Sequence, residues 1–576
     1  MTTTPNQPGA LPDSYDPAAP LIVQSDGALL LDPHSPRFGA ARDVIAPFAE
    51  LEASPEDMHR YRISPLSLWS AAAAGFTAEE LERRLRAFAR YPAPPAVLAQ
   101  LREQIGRWGR LRLVAEGDEL RLVADEDALL ALLAEREEIA GLLGPARGPL
   151  ARAVPVEGRG PLKQALTAAG WPVEDLAGYV EGASLPVRLR EERFALRDYQ
   201  REAATAFYQG GAARGGSGVV VLPPGAGKTL VGLAALALVE QHTLILTTSN
   251  TSVQQWRREL LARTDLLPEQ IGEYTGAEKR IAPVTLSTYQ MLTFRSERDG
   301  GFPHLRLCTE RPWGLLIYDE VHSLPAPVFR ATAAIQARRR LGLTATLIRE
   351  DGREGDVFAL IGPKRYELPW RELERRGWIA PAACTEVRLG LPEDERLAYA
   401  IAEPRDQPRL AAVNPRKLPL LRAILEQHDG APTLVIGQYL DQLQHIADNL
   451  AAPLITGKTP QAERERLFAA FRRGEIGSPL LDRPLLVISK VGNFALDLPD
   501  AELLVQVSGT FGSRQEEAQR LGRVLRPKSD GRHAYFYTLV TRDTRELEFA
   551  HKRQLFLAEQ GYRYEVRDEE EVRSKK

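Results

Sequence analysis

Val219-Val-Val-Leu-Pro-Pro-Gly-Ala-Gly-Lys-Thr-Leu-Val-Gly-Leu233 is the stretch that decides the fold. It opens as a β-branched run and closes as an apolar helical run, with a glycine-rich turn between them. A strand feeding such a turn at a helix start aims backbone N–H groups at an anion. Pro224, Gly225, Ala226, Gly227, Lys228 and Thr229 are therefore expected to cradle the triphosphate of ATP. Lys228 would reach the outer phosphates and the Thr229 hydroxyl a Mg²⁺ ion. Leu222 stands where the general pattern has its first glycine, so the assignment rests on the strand–turn–helix context.

Downstream, Asp319-Glu-Val-His322 follows the apolar run Leu315-Leu-Ile317. At a strand tip after a phosphate-binding turn, Asp319 is expected to hold the metal and Glu320 to orient the attacking water. The alternative for this pair is a solvated loop. His322 reads either as a polar coupling residue facing a partner domain or as an exposed side chain. Upstream, Leu196-Arg-Asp-Tyr-Gln200 offers Arg197 and Gln200, and an amide that both donates and accepts suits the edge of adenine.

Two blocks of alternating strands and helices surround these motifs. Val219–Leu222, Thr243–Leu246, Val284–Leu286, Leu315–Ile317 and Leu341–Leu343 make the first. Thr433–Ile436, Leu485–Ile488, Leu503–Gln506 and Tyr535–Tyr537 make the second. The pattern predicts an α/β protein with two tandem parallel sheets. In the second block, Gln519-Arg-Leu-Gly-Arg523-Val-Leu-Arg526 is either a solvated helical face or a guanidinium cluster reaching across a cleft to the phosphates. Thr248, Asn250, Gln255, Trp256, Thr288, Tyr289, Thr456 and Gly457 follow strands. They read as structural loops or, taken together, as a track for a single nucleic-acid strand.

Length and charge bound the rest. A chain of 576 residues predicts three or four domains, and a net charge of −3 confines any nucleic-acid surface to a local patch. Two cysteines, Cys308 and Cys384, cannot supply an iron–sulfur cluster or a four-cysteine zinc site. The sequence has no run of membrane-spanning length and no signal-peptide pattern at its start, so a cytoplasmic protein without a membrane partner is expected.

Residues 1–20 read as disordered, and 21–145 as a smaller N-terminal α+β region compatible with a winged-helix-like module. Its hairpins are expected around Ser25-Asp-Gly27 and Glu116-Gly-Asp118, and its helices after Ser64-Pro65 and Thr77. Gly144–Pro149 reads as a linker, followed by a small segment over 150–192. The first α/β domain is placed at 193–366, an irregular connector at 367–415, the second α/β domain at 416–566 and a charged, solvated tail at 567–576.

The motifs in this order resemble superfamily 2 helicases, and several segments resemble the xeroderma pigmentosum group B (XPB) family. They are Arg349-Glu-Asp351 shortly after Leu341-Gly-Leu-Thr-Ala-Thr346, Leu360-Ile-Gly-Pro363, Val413-Asn-Pro-Arg-Lys417, Ile488-Ser-Lys-Val-Gly492, Leu496-Asp-Leu-Pro499, Gly512–Arg526, Asp543-Thr544 and Lys552–Tyr562. The resemblance covers roughly 190–566 and fits the bacterial members more loosely before that. It implies two RecA-like helicase domains and a 3′→5′ DNA helicase or translocase acting in nucleotide excision repair or related repair. ATP and Mg²⁺ would be its cofactors and single-stranded or forked DNA its partner, with a nuclease or repair factor as a candidate associate and nucleoid association in a bacterium. Gln519, Arg523 and Arg526 would be catalytic, and Arg349, Glu350 and Asp351 would assist strand separation. His322, Thr344, Thr346, Gly492 and Asp497 would couple the lobes. The segment before Arg197 would stand for a damage-recognition domain and Asp394–Asn414 for a shortened thumb. Asn493 replaces an acidic residue common in eukaryotic relatives. A duplex translocase that does not separate strands, and an ATP-gated scaffold recruiting a nuclease, are the competing expectations.

Overall fold

A computed structural model describes residues 15–53, 58–117, 119–155, 158–177, 182–212, 215–223, 225–294, 303–308, 311–324, 337, 339–345, 354–368, 373–374, 376–378, 382–478, 482–489, 501–509, 534–559 and 564–574.

The first sheet holds β1 (Leu21–Val23), β2 (Ala28–Leu31), β3 (Glu50–Ala53) and β4 (His59–Arg62) in the order β1-β2-β4-β3, antiparallel throughout. The β1–β2 hairpin forms around Gly27, whose φ of +82° only glycine adopts without strain. Ser64 caps the helix Pro65–Ala73, its Oγ accepting from the Ser67 N–H, and Thr77 caps Ala78–Phe88 through the Glu80 N–H. A second sheet follows: β5 (Leu111–Glu116), β6 (Glu119–Ala124), β7 (Ala151–Val154) and β8 (Val173–Asp175), in the order β7-β6-β5-β8. Residues 144–149 therefore do not link two bodies. The Gly144 N–H donates to Ala153 O at 2.8 Å and the Ala153 N–H to Pro145 O at 2.9 Å, a turn inside one sheet. Glycine and proline mark a tight turn and a linker with the same letters.

The two expected parallel sheets are present, each with seven strands. In the first lobe β9 (Ser217–Val221), β10 (Thr243–Thr247), β11 (Ile271–Tyr274), β12 (Val284–Thr288), β13 (Leu315–Asp319), β14 (Arg339–Thr344) and β15 (Lys364–Glu367) run in the order β11-β12-β10-β13-β14-β9-β15. Along β9 the side chains alternate between two cores: Val220 joins one, and Val219 and Val221 the other. A sheet covered on both faces needs such an unbroken apolar run. The second lobe orders β16 (Ala382–Leu389), β17 (Thr433–Gly437), β18 (Leu454–Ile455), β19 (Leu485–Ser489), β20 (Leu503–Gln506), β21 (Ala534–Thr541) and β22 (Tyr564–Asp568) as β18-β19-β17-β20-β21-β16-β22.

Two expected boundaries move. β16 lies inside the stretch expected to be an irregular connector, yet it pairs over its whole length with β21 and also with β22. Its polar letters hid it: Glu386 is fully buried and accepts from Arg388, Gln554 and Tyr564. The charged C-terminus is likewise structured. β22 extends the sheet, and the helix Glu569–Ser574 buries Val572 while Glu569 pairs with Arg416 at 3.2 Å. The stretch expected to stand for a thumb, Asp394–Asn414, carries the helices Glu393–Ile401 and Gln407–Ala412, the first with no buried residue.

The Asn414-Pro-Arg-Lys417 segment clamps the second lobe. Asn414 Nδ2 donates to Gly390 O and Thr541 Oγ1. Lys417, only 1% exposed, donates to both Glu546 carboxylate oxygens at 2.9 and 2.8 Å and to Val507 O at 2.9 Å. The N-terminal bodies pack on the first lobe. Arg365 of β15 donates to Ala73 O at 3.1 Å, Lys364 to Ala46 O at 3.4 Å, and Gln164 to Asp356 at 2.7 Å.

Candidate nucleotide site

Three neighbouring strands end together at the site. Asp319 closes β13 opposite Leu343, and Thr344 closes β14 opposite Val221, which leads into the phosphate turn. The Leu222 N–H donates to Thr344 O at 3.0 Å, which fixes the turn to the sheet. Within it Gly225 and Gly227 have φ of +80° and +77°. A Cβ at Gly227 would stand 2.5 Å from Gln200 Nε2, so no other residue fits. The helix Lys228–Val239 then starts with Lys228 and Thr229 in its first turn.

Gln200 braces this turn, and Arg197 stands at the start of the helix that carries Gln200. Gln200 is 1% exposed. Its Oε1 accepts from the Arg197 N–H at 3.0 Å and its Nε2 donates to Ala226 O at 2.9 Å. The amide expected at the edge of adenine thus also braces the phosphate turn, with one of its two N–H groups and one of its two lone pairs. Tyr199 donates a second bond to Ala226 O at 2.8 Å. The sequence reading missed Tyr199, although a buried tyrosine hydroxyl usually finds a partner.

The acidic pair is buried and asymmetric. Lys228 Nζ lies 3.2 Å from Glu320 Oε1. Burial opposes ionisation of Glu320, but the Lys228 ammonium outweighs it and holds the carboxyl below its ordinary range. Asp319 moves the other way, pushed up to about 6 by burial and then by the adjacent Glu320 charge. Glu320 sits at φ +53°, a left-handed conformation that costs a non-glycine residue about 1–3 kcal/mol. Its Oε2 is buried with no hydrogen-bond partner among the described residues. A buried carboxylate oxygen whose nearest cationic group is the His322 ring at 3.5 Å, beside the phosphate turn, fits a site built to receive a further polar group.

Trp256 was expected on a nucleic-acid track. It is 1% exposed, and its indole N–H donates to Asp319 Oδ2 at 2.8 Å. Gly232 allows this, since a Cβ there would meet the indole at 2.4 Å. Tyr289 is also buried and donates to the Asp319 main-chain oxygen at 2.7 Å. Thr288 is buried and caps the short helix Tyr289–Leu292. All three leave the expected track because their polar atoms are committed inside the lobe. Asn250 and Gly457 are exposed and Thr248 and Thr456 half-buried, all at strand or helix ends, while Gln255 is half-buried within the helix Asn250–Arg263. His322 is buried rather than exposed, its Nδ1 2.6 Å from Thr344 Oγ1 and 3.5 Å from Glu320 Oε2. Two expected coupling residues are thereby in contact. Pro224, Thr346, Arg349, Glu350, Asp351, Gly492, Asp497, Gln519, Arg523 and Arg526 lie outside the described residues.

Residues 373–576 match the family model described as the ERCC3/RAD25/XPB C-terminal helicase. Residues 193–349 match the res subunit of type III restriction enzymes, and 21–147 a model described as a helicase conserved C-terminal domain. A protein of Kineococcus radiotolerans named DNA 3′-5′ helicase XPB is 55% identical over 96% of this chain and 97% of its own length. This chain belongs to the XPB family. A Mycobacterium tuberculosis XPB helicase is 53% identical over 96% of this chain and 98% of its own. The XPB of Antonospora locustae, named a helicase/translocase subunit of general transcription and DNA repair factor IIH, is 35% identical over 95% and 81%. Within this XPB-family chain, no group of three or more His, Cys, Asp or Glu side chains that could hold a metal ion occurs among the described residues. No described helix is long and apolar enough to cross a membrane.

Proposed function

We propose that this chain is an ATP-driven DNA helicase that moves 3′→5′ and serves DNA repair. The observation that carries the reading is the convergence of Lys228, Thr229, Asp319 and Glu320 at the ends of adjacent strands. The names of its relatives support DNA as the substrate. ATP binds the turn Gly225–Thr229, and Thr229 with Asp319 would hold Mg²⁺. A single protein carboxylate and a hydroxyl suit that ion, which takes its other ligands from water and phosphate oxygens. When bound, Mg²⁺ neutralises charge developing on the transferred phosphoryl group.

The residues of the chain do the rest. Lys228 exchanges Glu320 for a phosphate oxygen as nucleotide enters, which leaves the Glu320 carboxylate to orient the attacking water. Trp256 fixes the rotamer of Asp319. His322 and Thr344 join the Glu320 loop to the end of β14 and relay its position toward the second lobe. Arg523 and Arg526 complete the charge stabilisation from that lobe, with Gln519 beside them. Thr248, Asn250, Gln255, Thr456 and Gly457 touch the DNA backbone, and Arg349, Glu350 and Asp351 part the duplex. The protein works in the cytoplasm alongside a repair nuclease or another repair factor.

Strand displacement tests the reading. A duplex with a 3′ single-stranded tail is expected to be unwound at the cost of ATP, and one with a 5′ tail spared. The match to a restriction-enzyme subunit over 193–349 favours a second reading, translocation on duplex without unwinding. Displacement of a triplex strand with no unwinding of either tailed duplex would establish that second reading.

Trp256→Phe keeps a packed ring but removes the donor to Asp319. A hydrogen bond to a charged group contributes about 1.5–3 kcal/mol, so kcat is expected to fall about ten-fold with circular dichroism unchanged. Unaltered kcat would reduce the indole to packing.

A further inference from the structure

A cavity of about 270 Å³ lies where the N-terminal bodies meet the first lobe. The end of the helix Pro65–Ala73 walls one side of it, the helix Arg159–Ala168 and β8 a second, and β14, β15 and the segment 358–363 a third. Arg159, Lys163, Arg340 and Arg365 line it against Glu174 and Asp175, so the described lining has a formal excess of two positive charges. Arg159, Lys163 and Arg340 are buried. Asp175 accepts from both Arg159 and Lys163, from the latter at 3.0 Å. Arg340 donates to Leu360 O at 2.8 Å, and Arg365 to Ser217 O at 2.9 Å and Ala73 O at 3.1 Å. Burial holds the Arg365 guanidinium down to about 10, a pull that Glu174 opposes without overcoming. Gathering like charges out of water is costly unless an anion joins them.

We propose that this cavity is a binding site for a small phosphate-type dianion, which fastens the N-terminal bodies to the first lobe. The charge of such a ligand equals the excess on the lining. Guanidinium groups suit its oxygens, because planar donors pair with them two at a time. The volume admits a compact anion, and the depth of Arg159, Lys163 and Arg340 keeps the backbone of a nucleic acid away. None of the described lining residues belongs to the nucleotide turn. The cations come from different bodies: Arg159 and Lys163 from the helix Arg159–Ala168, Arg340 and Arg365 from β14 and β15. A ligand shared among them binds the docked arrangement, so its binding free energy adds to docking. Inorganic phosphate and the phosphoryl end of a phosphomonoester present the same chemistry.

Calorimetry and hydrogen exchange test the proposal on the full chain carrying Lys228→Ala, which weakens anion binding at the nucleotide turn. Inorganic phosphate and glycerol 3-phosphate are titrated at constant ionic strength, with chloride as the balance. One or both should bind at a single site with Kd below about 1 mM. At saturation the ligand should slow exchange of amides in 65–75, 159–168 and 354–362. The tighter of the two identifies the source of the phosphoryl group. Arg365→Gln, which keeps an amide donor, and Lys163→Gln should each weaken binding about ten-fold and remove the protection. Absence of binding, or protection confined to 225–231, would overturn the site, and so would unaltered affinity in both variants. The exchange map on the Lys228→Ala chain decides the matter even if a cavity substitution disturbs packing.

Discussion

Lys228→Ala is expected to abolish measurable DNA-stimulated ATP hydrolysis, a loss of at least about 10²–10³-fold in kcat. The side chain is the only cation seen within ion-pair distance of Glu320 among the described residues apart from the His322 ring. Two effects combine in the variant. The outer phosphates lose a preorganised positive charge in a site screened from water. In addition, the buried Glu320 carboxylate loses the partner that keeps it ionised, so its proton affinity rises and it becomes a poorer water-orienting group. Radiolabelled phosphate release with saturating forked DNA measures the change. Turnover within a few-fold of the parent would place the reaction elsewhere.

Lys417→Met is expected to give the largest stability effect. The ammonium is sealed in the second lobe with Glu546, which also accepts from the Thr541 N–H at 2.9 Å. Removing one member of a buried pair leaves an uncompensated charge at a cost of about 3–5 kcal/mol. Replacing both, as Lys417→Met with Glu546→Leu, should recover most of that, because two apolar side chains carry no desolvation penalty. Hydrogen exchange separates this lobe from the others: amides of 534–541 and 545–559 should lose protection in the single variant and regain it in the double. Equal protection in all three chains would mean that the pair is energetically neutral.

The sheets and the phosphate turn were legible because both rest on patterns that burial enforces. Val219–Val221 must be apolar throughout to lie between two cores, and Gly227 must lack a Cβ to pass Gln200. What escaped was polar burial. β16 carries Thr385, Glu386 and Arg388, and their partners come from residues up to 178 positions away. No local window holds that information. The same gap misplaced Trp256 and Tyr289: each carries a hydrogen-bonding group in the helix that follows a strand, which is also how a nucleic-acid contact looks in sequence. Burial alone separates the two roles, and it is set by the fold.

β15 is the outermost strand of its sheet, and the N-terminal body meets it through Arg365 and Lys364. An outer strand with bare peptide groups is a template for adhesion between molecules. The helix Pro65–Ala73 lies over that strand, and β3 also comes beside the helix Arg545–Glu559 of the second lobe. The leading hundred residues therefore act as a shield as well as an accessory: a chain trimmed to its motor alone would carry a sticky rim, and would lose a prop that leans on both halves at once.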